Sequence, residues 1–254
     1  MGALHAGHVS LINQSLEGCA RTVVSIYVNP EQFGPEEDLQ SYPRNIEDDL
    51  DILRNLKVDA VFLPTDEIMY PGVFSTYINE TAVSKTLEGI SRPQFFCGVL
   101  TIVLKLFNIL SPSEAFFGMK DYQQLVLIEK MIRDLNLKTK IVRCETVREE
   151  RGLAMSSRNR YLKKEEINRL GIIFSALKDA KGQIVSGILD LHKIKNNFTK
   201  YISSVDALSV DYVNVVDINC QDIESAEAPC AILVALYYNS VRLIDNIIVD
   251  NHKT

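Results

Sequence analysis

Histidine, cysteine and long apolar runs are all scarce in this 254-residue sequence, and each scarcity removes a class of protein. The five cysteines (Cys19, Cys97, Cys144, Cys220 and Cys230) are scattered, odd in number and form no Cys-x-x-Cys pair. That pattern argues against a disulfide framework or a structural zinc site, and for a reducing, cytoplasmic setting. No apolar run reaches the roughly 18 residues of a membrane span, and the start lacks the charged-then-apolar plan of a signal peptide. No membrane partner is therefore expected, and the Asn197-Phe198-Thr199 sequon carries no weight in such a chain. Positive charge is also short, with a formal net charge of -6. The molecule as a whole repels phosphate backbones, and no dense Lys/Arg run offsets this, so no nucleic-acid partner is expected. Arg148, Arg151, Arg158 and Arg160 cluster, but Glu149 and Glu150 stand among them, which suits a small anionic ligand better than a duplex.

What remains is an ordinary globular composition, 46% hydrophobic and 24% charged, with no internal repeat and no low-complexity segment. At roughly 100–200 residues per domain, the length allows one large domain or two smaller ones. Up to about residue 145 strand-like and helix-like stretches alternate. Helices are expected at 9–20, 45–56, 99–110 and 122–135, with strands at 22–28, 58–63, 115–118 and 140–144. Such alternation predicts an α/β fold, a Rossmann-like doubly wound parallel sheet, with ligands at the carboxyl ends of its strands. Later the pattern changes to helices at 165–181 and 189–202, then strands at 209–216, 231–238 and 241–249. Asn239-Ser240 between the last two suggests a hairpin. The expected division is a nucleotide- and substrate-binding domain over 1–158 and a smaller C-terminal α+β domain over 159–254.

Two of the four histidines fall in Met1-Gly2-Ala3-Leu4-His5-Ala6-Gly7-His8. Their spacing of three puts both rings on one face of a first helical turn. The helix start favours an anion, and Gly2 and Gly7 permit close backbone approach. The alternative is that both rings merely cap the helix or lie on the surface. Gly118-Met119-Lys120-Asp121, between a strand and a helix, reads as a phosphate site with Lys120 as point charge, or else as a solvated Lys-Asp pair. Met155-Ser156-Ser157-Arg158-Asn159 offers two hydroxyls and a guanidinium fork to a polyphosphate, or is a polar linker. Asn29-Pro30-Glu31-Gln32-Phe33 follows a strand, and Gln123-Gln124 comes later; their amides suit hydroxyls and carboxylates, or are simply solvated.

Together these segments resemble one family. Met-Gly-x-Leu-His-x-Gly-His is similar to the nucleotidyltransferase His-x-Gly-His motif in the variant of the pantothenate synthetases, the pantoate–β-alanine ligases. Residues 25–33, Tyr42-Pro43-Arg44, Leu87-Glu88-Gly89, residues 118–124, 155–161 and Arg242-Leu243-Ile244-Asp245-Asn246 match the same family in order. The resemblance implies ATP-dependent condensation of pantoate with β-alanine through a pantoyl adenylate, releasing AMP and pyrophosphate. It implies that Met1, Gly2, Ala3, Leu4, His5, Ala6, Gly7 and His8 contact ATP, with His8 as proton donor on the phosphate side and His5 beside it. Gly118, Met119, Lys120, Asp121 and Val147 would contact the nucleotide, Lys120 neutralising phosphate. Met155, Ser156, Ser157 and Arg158 would close over the outer phosphates. Gln32 and Gln124 would hold pantoate, Gln32 also facing β-alanine. Mg²⁺ would arrive with ATP, and Asp48 and Asp49 resemble the family's acidic pair near it, although a helix-surface role fits them equally. A homodimer is expected from the family's habit.

Two positions depart from the family pattern. Met119 stands where Gly-Glu-Lys-Asp is usual, and Phe95 where Arg-Pro-x-His-Phe is usual. A pantoyl adenylate is a mixed anhydride that water destroys, so the second domain and the segment 34–42 are expected as lids. Because the motif begins at residue 1, a strand before it is expected to be missing from the sheet, and the natural protein is expected to begin about 20–30 residues upstream. Two rival readings stay open. One is a nucleotidyltransferase that stops at a nucleotide-linked product; the other is a non-catalytic nucleotide-binding module.

Overall fold

The computed structural model describes residues 1–35 and 37–250. Its chain divides into two compact units, one of Met1–Met119 and Gln124–Glu145, the other of Lys120–Gln123 and Thr146–Thr254. Residues 146–158, grouped on sequence with the first domain, fall in the second unit, as do four residues around Lys120.

The first unit is α/β. Helix α1 (Ala6–Gly18) leads to strand β1 (Val23–Ser25), helix α2 (Ile46–Leu56) and strand β2 (Ala60–Phe62), which pairs with β1 in parallel. Short helices α3 (Asp66–Met69) and α4 (Glu88–Ser91) precede the long α5 (Phe95–Leu110). Strand β3 (Glu114–Gly118), helix α6 (Tyr122–Asp134) and strand β4 (Lys140–Cys144) follow, with β3 and β4 again parallel. The parallel strands thus form two ladders, β1–β2 and β3–β4. Apolar residues of α1, α2 and β1 close one core: Ile12, Leu53 and Val24 pack with Leu4 and Ile26. Helix α2 starts where Asn45 accepts the Asp48 N–H, and Glu47, Asp48 and Asp49 occupy its positive first turn. Asp49 and Leu53, four apart, share its buried face. Among the residues of α5, Gly98 has a specific cause. A methyl group there would come within 2.0 Å of the Glu31 carbonyl oxygen, so only glycine lets α5 lie against the 29–32 turn.

In the second unit, helices α7 (Lys164–Leu170), α8 (Ile172–Val185) and α9 (Leu191–Ile202) precede strands β5 (Leu208–Asp217), β6 (Cys230–Tyr238) and β7 (Val241–Val249). The single helix expected over 165–181 is two, broken at Gly171, where a side chain would meet the Arg151 carbonyl oxygen at 2.1 Å. The strands make an antiparallel sheet in the order β5-β6-β7, with β6 central and buried almost throughout. That is why Ala231 to Leu236 reads as an unbroken apolar run instead of an alternating one. Asn239, with φ of 51°, turns the β6–β7 hairpin. Helices α8 and α9 cover the sheet, and Phe198, 1% exposed, belongs to the core they share with it. Truncating such a ring costs about 3–5 kcal/mol. No helix among the described residues is long and apolar enough to cross a membrane.

Candidate active site

Met1 lies beside the chain leaving β1: its nitrogen donates to the Ser25 carbonyl at 2.8 Å, and the Tyr27 N–H donates to the Met1 carbonyl at 2.9 Å. From there the chain turns sharply into α1, and Ala3 takes a left-handed φ of 50°. A non-glycine residue in that region is strained and persists only where neighbours fix it. Asp49 does so. Its carboxylate, 2% exposed, accepts the Ala3 N–H at 2.9 Å and the Leu4 N–H at 2.7 Å. Two charge-assisted bonds of this kind satisfy both the buried anion and two amides next to a helix start.

His5 then caps α1. Its Nδ1 accepts the Gly7 N–H at 3.1 Å, the His8 Nδ1 accepts the His5 N–H at 3.4 Å, and the ring centroids are 4.0 Å apart. Capping and phosphate chemistry are compatible here. With Nδ1 an acceptor in each ring, a neutral imidazole carries its hydrogen on Nε2 and presents it as a donor. The helix start read on sequence as favouring an anion spends several of its amides internally. The amides of Ala3, Leu4, His5 and Gly7 are taken up by Asp49 and the two rings, so the donors this turn offers are chiefly imidazoles.

The acidic pair also divides. Asp48 is exposed and accepts from the Asn45 side chain at 2.5 Å, whereas Asp49 is committed to the backbone. Asp49 is therefore a brace of the motif. Among the described residues no group of three or more His, Cys, Asp or Glu gathers around a common point.

Asn29, expected to face substrate, is 2% exposed. Its amide donates to the Gly98 carbonyl, and its oxygen accepts from Tyr70 at 2.7 Å and from the Glu31 N–H. It is a brace because the 29–32 turn must be pinned to α5. Gln32, three residues on, is half-buried, and Arg92 holds its main chain: the guanidinium donates to the Gln32 carbonyl at 2.9 Å and twice to Glu37. The Phe95 ring lies 3.8 Å from the same guanidinium. The aromatic that replaces the family's usual histidine thus packs on Arg92. Of the segment 34–42, Glu36 lies outside the described residues, and Glu37 is tied to Arg92. Gln124, in α6, is half-buried.

Gly118 ends β3 in open space. In the second unit Lys120 is largely buried, its side chain 20% exposed, and its ammonium is 3.7 Å from Asp121, too long for a strong pair. Val147 accepts from the Met155 N–H, and the Ser156 hydroxyl caps the 157–161 turn by accepting from Arg158. Ser157 is buried and Arg158 half-buried. Arg148, read as part of an anion-binding cluster, is instead consumed internally. It forks onto Asp245 at 2.6 and 3.0 Å, donates to the Gly152 carbonyl and lies over Phe174. Burial pushes the Asp245 carboxyl above its ordinary value, and Arg148 opposes that rise.

Two capping imidazoles at a helix start beside parallel strands are an arrangement that suits the His-x-Gly-His resemblance. The pantoate-β-alanine ligase family model matches residues 1–248, and the chain belongs to that family. Relatives named pantothenate synthetase are 46% identical in Pseudothermotoga lettingae and 44% in Acetivibrio thermocellus, each match covering 98% of this chain and 89% of the relative. The pantothenate synthetase structure from Thermus thermophilus superimposes with a TM-score of 0.93 at 36% identity, over 98% of this chain and 91% of that one. A pantoate-β-alanine ligase from Francisella tularensis, complexed with β-γ ATP and β-alanine, gives 0.80 at 35% identity, over 98% and 87%.

Proposed function

We propose that the chain joins pantoate to β-alanine at the expense of ATP, as a cytoplasmic homodimer. In the first step the pantoate carboxylate attacks the α-phosphorus. The bond to the bridging oxygen breaks, and pyrophosphate leaves pantoyl adenylate behind. In the second the β-alanine amine attacks the acyl carbon; a C–N bond forms, the bond to AMP breaks, and the amine gives up a proton.

The observation that carries this reading is the His5–His8 pair, locked by its own Nδ1 bonds so that both Nε2–H groups are donors. Such donors stabilise charge developing on phosphoryl oxygens without reorganising. His8 donates its Nε2–H as a hydrogen bond on the phosphate side. Lys120, half-freed from Asp121, neutralises phosphate, and Gly118, Met119, Asp121 and Val147 line the nucleotide. Met155, Ser156, Ser157 and Arg158 hold the leaving pyrophosphate. Gln32 and Gln124 read the hydroxyl and carboxylate groups of pantoate. Mg²⁺ fits as a partner of the triphosphate, since it takes one or two carboxylates and keeps waters. Asp48 would be the carboxylate to hold it, and the ion would supply further neutralisation of phosphate charge. The solved structure of the Francisella relative with β-γ ATP and β-alanine supports the choice of two of the three substrates.

AMP release measured with ATP and pantoate, with and without β-alanine, tests the proposal. Sustained AMP and pantothenate formation that requires all three substrates is expected. AMP-linked product without any β-alanine requirement would make this a nucleotidyltransferase, and ATP binding without turnover a binding module.

A further inference from the structure

We propose that Arg148, Asp245 and Asn246 form a positioning device that registers Lys120 with the 147–158 segment, making strand β7 a working part of adenylate formation. The inference rests on the ligase reading above. It starts from a motif without a role so far, Arg242-Leu243-Ile244-Asp245-Asn246. Asp245 and Asn246 are 4% and 6% exposed, rare burial for such residues unless they are fully engaged.

Both are engaged with the segments that carry the phosphate-handling residues. The Asn246 amide donates to the Lys120 carbonyl at 2.8 Å across 126 residues of sequence. Asp245 takes both arms of the Arg148 guanidinium, and the Asn246 N–H also donates to Asp245 at 2.8 Å. Arg148 in turn donates to the Gly152 carbonyl, within a turn whose strands bridge at Arg148 and Ala154. One residue either side, Met155 donates to Val147. The Tyr122 hydroxyl adds a tie from the same short segment to the Ile218 carbonyl at 2.9 Å. Lys120 is thus held by its main chain to one end of the device and Val147–Met155 to the other. No bond of the device uses the Lys120 ammonium, which stays available for phosphate. A residue that sets such a position without touching substrate acts on rate through geometry, where a misplacement of about 1 Å can cost on the order of 10²-fold.

The test measures pyrophosphate release from ATP and pantoate, the affinity for a non-hydrolysable ATP analogue, and the unfolding midpoint. It uses the whole chain carrying Asn246→Ala, with Leu236→Ala as control. Leu236 lies in the same sheet, fully buried and paired with Leu243, whereas Asp245 and Asn246 pair with Val234 and Leu233. Asn246→Ala is expected to lower kcat about 10²-fold, to weaken the analogue about tenfold and to leave the pantoate KM unchanged. Leu236→Ala should lose at least as much thermal stability while keeping kcat. A wild-type kcat in Asn246→Ala overturns the proposal, and so does equal loss of kcat in both variants. If Asn246→Ala fails to fold, Arg148→Lys is judged by the same criteria; it keeps the charge and loses the fork. A wild-type chain that releases no pyrophosphate would instead sink the ligase reading, and the proposal with it.

Discussion

In the first unit Asp49 accepts from the amides of Ala3 and Leu4, and Asp59 accepts from the amide of Thr22. In the second, Asn246 and Arg148 donate to the carbonyls of Lys120 and Gly152. At these places, residues 3–4 in one unit and Lys120 in the other, the main chain is held by bonds of opposite polarity. Residues 3–4 precede a helix and expose N–H groups, so only an acceptor can fix them. Around Lys120 the polypeptide exposes carbonyls, so a donor is needed. The choice has a chemical consequence. A carboxylate brace beside the His5–His8 pair places negative charge near donors meant for phosphate, but spends it on two amides. The Asn246 amide that braces Lys120 adds no charge of its own.

Removing the Lys120 side chain should have the largest effect and separates charge from brace. Its position is fixed by its carbonyl, and the ammonium lies 3.7 Å from Asp121. Lys120→Ala is therefore expected to keep its unfolding midpoint while adenylation falls about 10²–10³-fold, by analogy with a deleted oxyanion donor. Near-normal pyrophosphate release would remove Lys120 from the phosphate site.

Asp49→Asn comes next and should strike both stability and rate, because one acceptor oxygen becomes an NH₂ facing an N–H. A buried donor left unsatisfied costs about 1–3 kcal/mol, and the loosened Ala3–His5 turn should slow adenylation by about 10²-fold. Unchanged stability together with an altered Mg²⁺ requirement would return Asp49 to the metal site and break the contrast between the units.

How far the sequence carried these assignments depends on what each residue's neighbours are. The α/β order, the antiparallel C-terminal sheet and the His5–His8 face were legible because they follow from periodicity and local spacing. The jobs of Asp49, Asn29 and Arg148 were not. Each looks like a ligand-facing polar residue in one dimension, and each is consumed by a partner at least 41 residues away. The signal that could have found them is mutual. Ala3 sits where a tight turn needs an acceptor, and the Asp245-Asn246 pair interrupts an apolar strand that should be buried. Gly171 also marked a helix break that the apolar pattern of 165–181 concealed.

Gln124→Ala should be milder and selective. Losing one hydrogen bond of about 1–1.5 kcal/mol corresponds to about a tenfold rise in the pantoate KM. The ATP KM should stay near wild type, and equal effects on both would move Gln124 out of the pantoate pocket.

The smallest effect is a pH dependence confined to the first unit's style of bracing. Asp59 joins the start of β1 to β2, accepting from the Thr22 N–H at 2.8 Å and pairing with Arg21 at 2.6 Å. The Thr22 bond and then the Arg21 bond hold its carboxyl below the usual value of 3.8. A folded value below the unfolded one means that the unfolded chain binds the proton more readily. The stability that Asp59 contributes is therefore present above pH 3.8 and is lost as pH falls through the depressed value. Asp59 is exposed, so solvent screens the effect and it stays small. Asp59→Asn should lower the unfolding midpoint slightly near neutral pH, and the gap from wild type should close in acid. Asn246→Ala removes a brace without a titrating group, so its gap should not close in this way. A gap for Asp59→Asn that widens as the pH falls would reverse the sign of the linkage and remove the electrostatic basis of the contrast.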